Sequence, residues 1–152
     1  MIKKSERLQT VLELAEQELE QAGQTLHAMQ TQLEQTQFQI QSLRQYLQEI
    51  ATPSAENNQL GLQSYHFKNT YAFVHKVQQA LLQEQNKEAQ LVQAVEKARD
   101  NWLEKRARLK GLQKVQQSFL QQEQNQLQRQ EQRALDDLTN SKGFMLKNKE
   151  NL

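Results

Sequence analysis

The sequence predicts an all-α protein, a long antiparallel two-helix coiled-coil hairpin in which the second helix is longer than the first. Three observations support this fold class. Apolar residues recur in alternating steps of four and three from Leu8 to Ile50, a similar series follows the only proline, and just 36% of the residues are hydrophobic. Such spacing places apolar side chains along one stripe of a helix, and a helix of this kind needs a partner helix.

The first predicted helix covers about residues 5–51, with Ser5 as a candidate helix cap. Its apolar stripe contains one polar side chain, that of Thr36. The stripe consists of Leu8, Leu12, Ala15, Leu19, Ala22, Leu26, Met29, Leu33, Thr36, Ile40, Leu43, Leu47 and Ile50. The helix should end before Pro53, because proline has no N–H to donate and disfavours helical geometry in the preceding residue.

A turn is predicted over about residues 52–63, and a second helix over about residues 64–139. A frayed tail should follow over about 140–152, because Asn140 and Gly143 favour a break. The second stripe consists of Phe67, Thr70, Val74, Val77, Leu81, Glu84, Glu88, Leu91, Val95, Ala98, Trp102, Lys105, Leu109 and Leu112. Beyond Leu112 the apolar positions drift through Val115, Phe119, Leu120, Leu127, Leu135 and Leu138.

Two long helices of matching period joined by one turn should pair in antiparallel directions. The whole chain, residues 1–152, is then a single coiled-coil hairpin domain. The register that we predict places Trp102 against Ala15 and Leu91 against Leu26. A slip of one heptad, with a tighter turn, stays open as an alternative.

Composition and charge exclude several classes of protein. The formal net charge of +1 favours no polyanionic partner, and a chain without cysteine has no disulfide or thiolate metal site. Disorder is the competing explanation of so polar a chain, but the apolar residues keep their period over many turns. The amino terminus has no apolar run of the length that a signal peptide or membrane span requires, so we expect a cytoplasmic protein without membrane insertion.

The sequence shows no catalytic apparatus. It has no glycine-rich phosphate loop and no nucleophile and base that could converge in a pocket, so we predict no enzyme activity and no cofactor. The histidines His27, His66 and His75 are scattered, and we predict no metal site.

Two features exceed what a coiled coil requires. A basic segment surrounds Trp102 over residues 97–114, although Glu96, Asp100 and Glu104 neutralise part of it and a solvated face explains it equally well. Aromatic side chains also lie off the stripes near the turn, namely Phe38, Tyr46, Tyr71 and Phe73. Such rings have no packing role in an isolated hairpin, so they favour a docking surface over scattered apolar residues.

Three segments resemble the flagellar export protein FliJ family. They are LQTVLELAEQELEQAGQTL at residues 8–26, SYHFKNTYAFVHKVQQAL at 64–81 and ARDNWLEKRARLKGLQKVQQ at 98–117. The resemblance implies an antiparallel coiled coil like the central stalk of rotary ATPases. It also implies that the free ends insert into the flagellar export ATPase hexamer and promote its assembly and activity.

The resemblance further implies contact with the cytoplasmic domain of the export gate protein and with the export chaperones of late substrates. The protein would then act peripheral to the inner membrane at the flagellar base. The positions that match the gate-contacting surface are Gln39, Leu43, Tyr46, Ile50, Phe73, Val77, Ala80 and Glu84. The residues expected to face the ATPase ring are Lys3, Lys4, Arg7, Arg99, Trp102, Lys105, Arg106, Arg108 and Lys110.

Other functions stay open at this point. The equivalent stalk of a virulence-type secretion system shares the predicted architecture. A generic coiled-coil scaffold that self-associates through the first stripe would also fit the periodicity. A nucleic-acid binder is disfavoured by the near-zero net charge, because such proteins carry a strong basic excess.

Overall fold

The computed structural model describes residues 3–51 and 69–150 in full, together with the backbone of residues 63–68. Two helices are present, α1 at Lys4–Ala51 and α2 at Gln63–Glu150. They pack against each other, and the second is the longer, so the predicted all-α hairpin class is confirmed. The predicted turn, with Pro53 and Gly61, falls on residues 52–62, outside the described residues.

The first stripe is the side of α1 that packs, as predicted. Every one of its positions from Leu8 to Ile50 is buried or half-buried. Leu12, Ala15, Ala22 and Ile40 are the most deeply buried of its apolar members. The predicted polar interruption, Thr36, is buried with them. Burial of this stripe supplies the hydrophobic stabilisation of the helix pair.

The second stripe agrees with the prediction over most of its length. All its positions from Val74 to Leu112 are buried or half-buried, whereas Thr70 is exposed and the side chain of Phe67 lies outside the described residues. Beyond Leu112 the predicted drift is wrong. The same heptad spacing continues through Gln116, Phe119 and Glu123, which are half-buried, while Val115, Leu120, Leu127, Leu135 and Leu138 are exposed.

The end of α2 also differs from the prediction. The helix continues to Glu150, where we expected fraying from about residue 140. Gly143 has no positive φ, so it does not adopt the left-handed conformation that ends many helices. A glycine inside a helix costs about 1 kcal/mol relative to alanine, which weakens a helix without stopping it. All side chains of residues 124–150 are exposed.

The chain divides into two units, which we describe separately. The first comprises Met1–Glu18 and Arg106–Leu152, and the second is Leu19–Lys105. Contacts inside each unit show antiparallel pairing. In the first unit Ser5 meets Glu123 and Glu18 meets Arg108. In the second unit Gly23 lies beside Trp102 and Tyr46 lies beside Phe73.

The predicted pairing of Trp102 with Ala15 is wrong. A Cβ atom at Gly23 would lie 3.5 Å from Nε1 of Trp102, so the indole lies beside Gly23, two turns further along α1. The other contacts agree with this shift, because Ser5 meets Glu123 and Glu18 meets Arg108, so residues of α2 face α1 about one heptad further along α1 than predicted. A heptad repeat determines which face of each helix packs, but it does not determine which heptads of the two helices meet.

Candidate functional site

Tyr46 and Phe73 form an aromatic pair across the two helices of the second unit. Their ring centroids are 5.6 Å apart and their planes meet at 67°, an edge-to-face arrangement. Each residue directly precedes a position of its stripe, so both rings lie on one flank of the helix pair. Tyr46 is 43% exposed and Phe73 is 46% exposed. The pair therefore presents aromatic surface to solvent while each ring orients the other.

The other predicted gate-contacting residues surround this pair with different degrees of burial. Gln39 is exposed, Val77 is buried, and the remaining four are half-buried, namely Leu43, Ile50, Ala80 and Glu84. The structure thus brings the predicted set together in the second unit. It also shows that the residues of the two stripes are largely occupied in helix packing, so Tyr46, Phe73 and Gln39 supply most of the free surface.

A shallow groove lies on the opposite flank of the same helix pair. Its volume is about 360 Å³, and its lining is largely apolar. Leu47, Ile50 and Val74 form its floor, and Tyr71, which is 71% exposed, stands at its edge. Sequence reasoning noted Tyr71 only as an aromatic residue off the stripe. The groove was missed because it depends on how the two helices meet.

Glu84 has one carboxylate oxygen, Oε2, that is buried and accepts no hydrogen bond among the described residues. The residue occupies a stripe position, in the polar stretch that interrupts the second stripe. A buried acceptor without a partner lowers the stability of a fold, because water no longer satisfies it. Glu84 is therefore a weak point in the packing of the second unit.

The residues predicted to face the ATPase ring are divided between the two units. Arg99, Trp102 and Lys105 belong to the second unit, where Trp102 and Lys105 are half-buried stripe residues. The contact with Gly23 gives Trp102 a packing role that the prediction did not include. The other predicted residues are exposed in the first unit, namely Lys3, Lys4, Arg7, Arg106, Arg108 and Lys110.

Within the first unit, Lys4 and Arg108 each lie close to a residue of the other helix. Nζ of Lys4 lies 5.8 Å from the centre of the Phe119 ring, and Nη1 of Arg108 lies 3.4 Å from Oε2 of Glu18. Phe119 follows Arg108 by three helical turns, about 16 Å along α2. The amino-terminal lysines are therefore not adjacent to Arg108, and the predicted basic residues of this unit do not form one cluster.

A polar network in the first unit was missed by sequence reasoning. The hydroxyl of Ser5 donates to both carboxylate oxygens of Glu123, at 3.0 and 2.8 Å, and Nε2 of Gln116 donates to Oε1 of Gln9 at 2.8 Å. The predicted cap, Ser5, is a residue of α1 instead and is only 5% exposed. The signal that could have found this network is the heptad spacing, which continues from Leu112 to Glu123 through polar residues.

In the part of the chain that the structure describes, neither helix contains an apolar stretch long enough to cross a membrane. The same residues hold no group of three or more histidine, cysteine, aspartate or glutamate side chains arranged to bind a metal ion.

Comparison with known proteins identifies the family. The family model described as flagellar FliJ protein matches residues 3–148, nearly the whole chain. The flagellar FliJ protein of Escherichia coli (strain K12) is 29% identical over 109 residues, which are 72% of this chain and 74% of that protein. No solved structure matches the chain. The chain belongs to the flagellar FliJ protein family and, with it, to the components of the flagellar export apparatus.

Proposed function

We propose that this chain is a non-catalytic, stalk-like component that promotes assembly and activity of the flagellar export ATPase ring and couples that ring to the export gate protein. The proposal includes contact with export chaperones of late substrates and a cytoplasmic location peripheral to the inner membrane. Family membership and the exposed surfaces described above support it. The observation that carries the proposal is the half-exposed aromatic pair of Tyr46 and Phe73.

The aromatic pair has the properties of a protein-docking surface. Tyrosine is enriched among the residues that dominate binding energy at protein interfaces, and aromatic rings are generally enriched there. The edge-to-face contact holds both rings in place, so little side-chain freedom is lost when a partner covers them. We assign this surface to the cytoplasmic domain of the export gate protein.

Binding to that domain tests the gate contact. We expect Tyr46→Ala combined with Phe73→Ala to weaken the affinity by roughly tenfold or more, because truncation of an interface aromatic commonly has an effect of that size. The matched control combines Leu138→Ala with Phe144→Ala. It removes two exposed apolar side chains outside the proposed surface, at 60% and 67% exposure. Equal affinities of the two double variants would contradict the gate assignment.

The ATPase contact is assigned to the exposed basic side chains of the first unit. Contacts of this kind are weak individually, since exposed ion pairs contribute about 0–1 kcal/mol each, and they can break and re-form easily. Arg7 and Lys110 suit a charge-reversal test, because both are exposed in the first unit. Lys105 is half-buried in the stripe and Arg108 pairs with Glu18, so reversal of either would also disturb the helix pair.

Titration of the chain into the purified export ATPase, with hydrolysis and ring formation as readouts, tests this contact. We expect the unmodified chain to stimulate both, and Arg7→Glu combined with Lys110→Glu to lose most of the stimulation. Arg129→Glu combined with Arg133→Glu is the control, since these exposed residues carry the same charge in the same unit. If a helical, monodisperse sample of the unmodified chain stimulates neither, a generic scaffold is the better description, and a measured mass would reveal self-association.

A further inference from the structure

The contact between Ser5 and Glu123 joins the first turn of α1 to α2. Both carboxylate oxygens of Glu123 accept from the Ser5 hydroxyl, and Oε1 lies 3.4 Å from the Ser5 backbone nitrogen, which also donates to it. The first N–H groups of a helix have no acceptor within the helix, and a carboxylate there also interacts favourably with the helix dipole. Glu123 therefore caps α1 from the other helix.

A second set of polar contacts lies directly beside this cap. Nε2 of Gln116 donates to Oε1 of Gln9 at 2.8 Å and to the backbone carbonyl of Ser5 at 3.5 Å. Ser5 thus lies between Gln116, which donates to its carbonyl, and Glu123, which accepts from its N–H and hydroxyl. Gln116 and Glu123 cannot exchange places, because an amide can donate a hydrogen bond to the Ser5 carbonyl and a carboxylate cannot.

The apolar stripes alone do not determine which residues of the two helices meet. A slip of one heptad moves each stripe position onto another stripe position, so the stripes still face each other, although polar stripe residues such as Glu88 and Lys105 then meet other partners. The polar residues break this equivalence. A slip of one heptad in either direction would bring Gln116 or Gln130 to the place of Glu123. Among these three residues, only Glu123 carries a carboxylate.

Each slip has an identifiable defect. A slip in one direction brings Gln116 to the place of Glu123, so the helix cap loses its carboxylate. The same slip brings Leu109 to the place of Gln116, so Gln9 loses the amide that donates to it. The other direction places Glu123 beside the Ser5 carbonyl, to which a carboxylate cannot donate. Buried polar groups without suitable partners destabilise a fold, and such residues are known to fix the register of coiled coils.

We propose that the Ser5–Glu123 contact is a register lock, which selects one of several heptad alignments that the apolar stripes leave nearly equivalent in the first unit. The lock also determines which α2 residues flank the amino-terminal lysines, as the contact of Lys4 with Phe119 illustrates. This inference concerns the fold and does not depend on the proposed function.

Cysteine cross-linking in the full-length chain reads the register, and the chain has no natural cysteine to interfere. Val11 precedes Glu18 by one heptad, and Val115 follows Arg108 by one heptad. Because the helices are antiparallel, Val11 and Val115 should face each other as Glu18 and Arg108 do. They are 38% and 42% exposed. Val11→Cys with Val115→Cys, joined by a short thiol-specific linker, reports the observed register. Val11→Cys with Arg108→Cys reports a slip of one heptad.

Relocation of the carboxylate is the decisive variant. Q116E combined with E123Q moves it by one heptad, and we expect the slipped pair to gain on the observed pair by roughly tenfold, the effect of one hydrogen bond to a charged group. E123Q alone leaves glutamine at positions 116, 123 and 130. No register then places a carboxylate at the cap, so we expect a mixture of both cross-links. E131Q is the control, since it removes an exposed carboxylate from the same helix, and it should leave the ratio unchanged.

Circular dichroism confirms that each variant is helical before cross-linking. If the double variant loses helicity, E123Q alone decides the matter, because it replaces one oxygen by an NH2 group. Retention of only the observed cross-link in every helical variant would overturn the proposal and assign the register to the apolar stripes and the connection between the helices. A ratio that shifts equally in E131Q would overturn it as well.

Discussion

The two units bury different kinds of side chains where their helices meet. In the second unit the buried residues are almost all aliphatic, with Ala22, Ile40, Leu91 and Val95 among them and Thr36 as the polar exception. In the first unit the helices meet through Leu12 and Ala15 and then through hydrogen bonds of Ser5. Aliphatic burial gives more free energy but no alignment, whereas hydrogen bonds give less free energy and a defined alignment.

The largest effect should come from the aliphatic contacts of the second unit. Ile40 is 3% exposed, and Ile40→Ala should lower the free energy of unfolding by about 2–5 kcal/mol, since it removes buried methyl groups and leaves a cavity. Ser5→Ala, in the first unit, should cost about 1.5 kcal/mol, the lower end of the range for a hydrogen bond to a charged group, since Glu123 is only half-buried. Urea denaturation followed by circular dichroism measures both.

A surface control separates this cavity effect from the loss of apolar area in general. Leu14 is 53% exposed, so Leu14→Ala should change the free energy of unfolding by less than about 0.5 kcal/mol. If Ser5→Ala destabilised the chain as much as Ile40→Ala, the contrast between the units would be wrong.

The next effect should have the opposite sign. Glu84→Leu removes the buried oxygen that accepts no hydrogen bond and adds apolar surface to a stripe position, so it should raise the free energy of unfolding by about 1–3 kcal/mol. Glu88→Leu is the matched control, one turn further along the same half-buried stripe. Thermal denaturation of the two variants should show a higher midpoint for Glu84→Leu. Equal midpoints would mean that the unpaired oxygen has no energetic weight.

The fold was largely predictable from the sequence because apolar spacing reports directly on helix packing. The stripe from Leu8 to Ile50 is confirmed position by position. The same reasoning failed beyond Leu112, where polar residues take over the packing positions. Gln116 and Glu123 resemble ordinary surface residues because they are polar, although they continue the heptad spacing beyond Leu112.

The aromatic pair shows the corresponding limit at the candidate site. The sequence placed Tyr46 and Phe73 off the stripes, and this suggested a docking surface. It did not show that the rings touch, because that contact depends on side-chain direction as well as on heptad position. The sequence also paired Trp102 with Ala15, where the structure has Gly23, because a heptad repeat does not tell which heptads of two helices meet.

Substitutions of two glycines, one in each unit, should have effects of intermediate size on the free energy of unfolding. Gly23→Ala and Gly111→Ala should each raise the free energy of unfolding by about 1 kcal/mol, the helix preference of alanine. A Cβ atom at Gly23 meets Trp102 at an ordinary contact distance of 3.5 Å, and one at Gly111 meets nothing within 4 Å.

Leucine distinguishes the two glycine positions. Gly111→Leu should keep most of the gain, because its side chain projects into open space. Gly23→Leu should lose the gain and destabilise the chain by about 1–3 kcal/mol, because Trp102 occupies the place of the added atoms. Chemical denaturation of all four variants gives the comparison, and similar stabilities for the two leucine variants would show that Trp102 moves aside freely.

The smallest effect should come from the ion pair of the first unit. Arg108 and Glu18 approach to 3.4 Å, but the Arg108 side chain is 52% exposed and that of Glu18 is 30% exposed, so water screens their attraction. We expect Arg108→Gln to lower the free energy of unfolding by less than about 0.5 kcal/mol, and the difference to vanish in high salt. Urea denaturation at low and high ionic strength measures it, with Arg129→Gln as the control for loss of one exposed charge. A loss above about 1 kcal/mol at low salt that high salt abolishes would mean that charge, and not only the hydrogen bonds of Ser5, aligns this end of the helix pair.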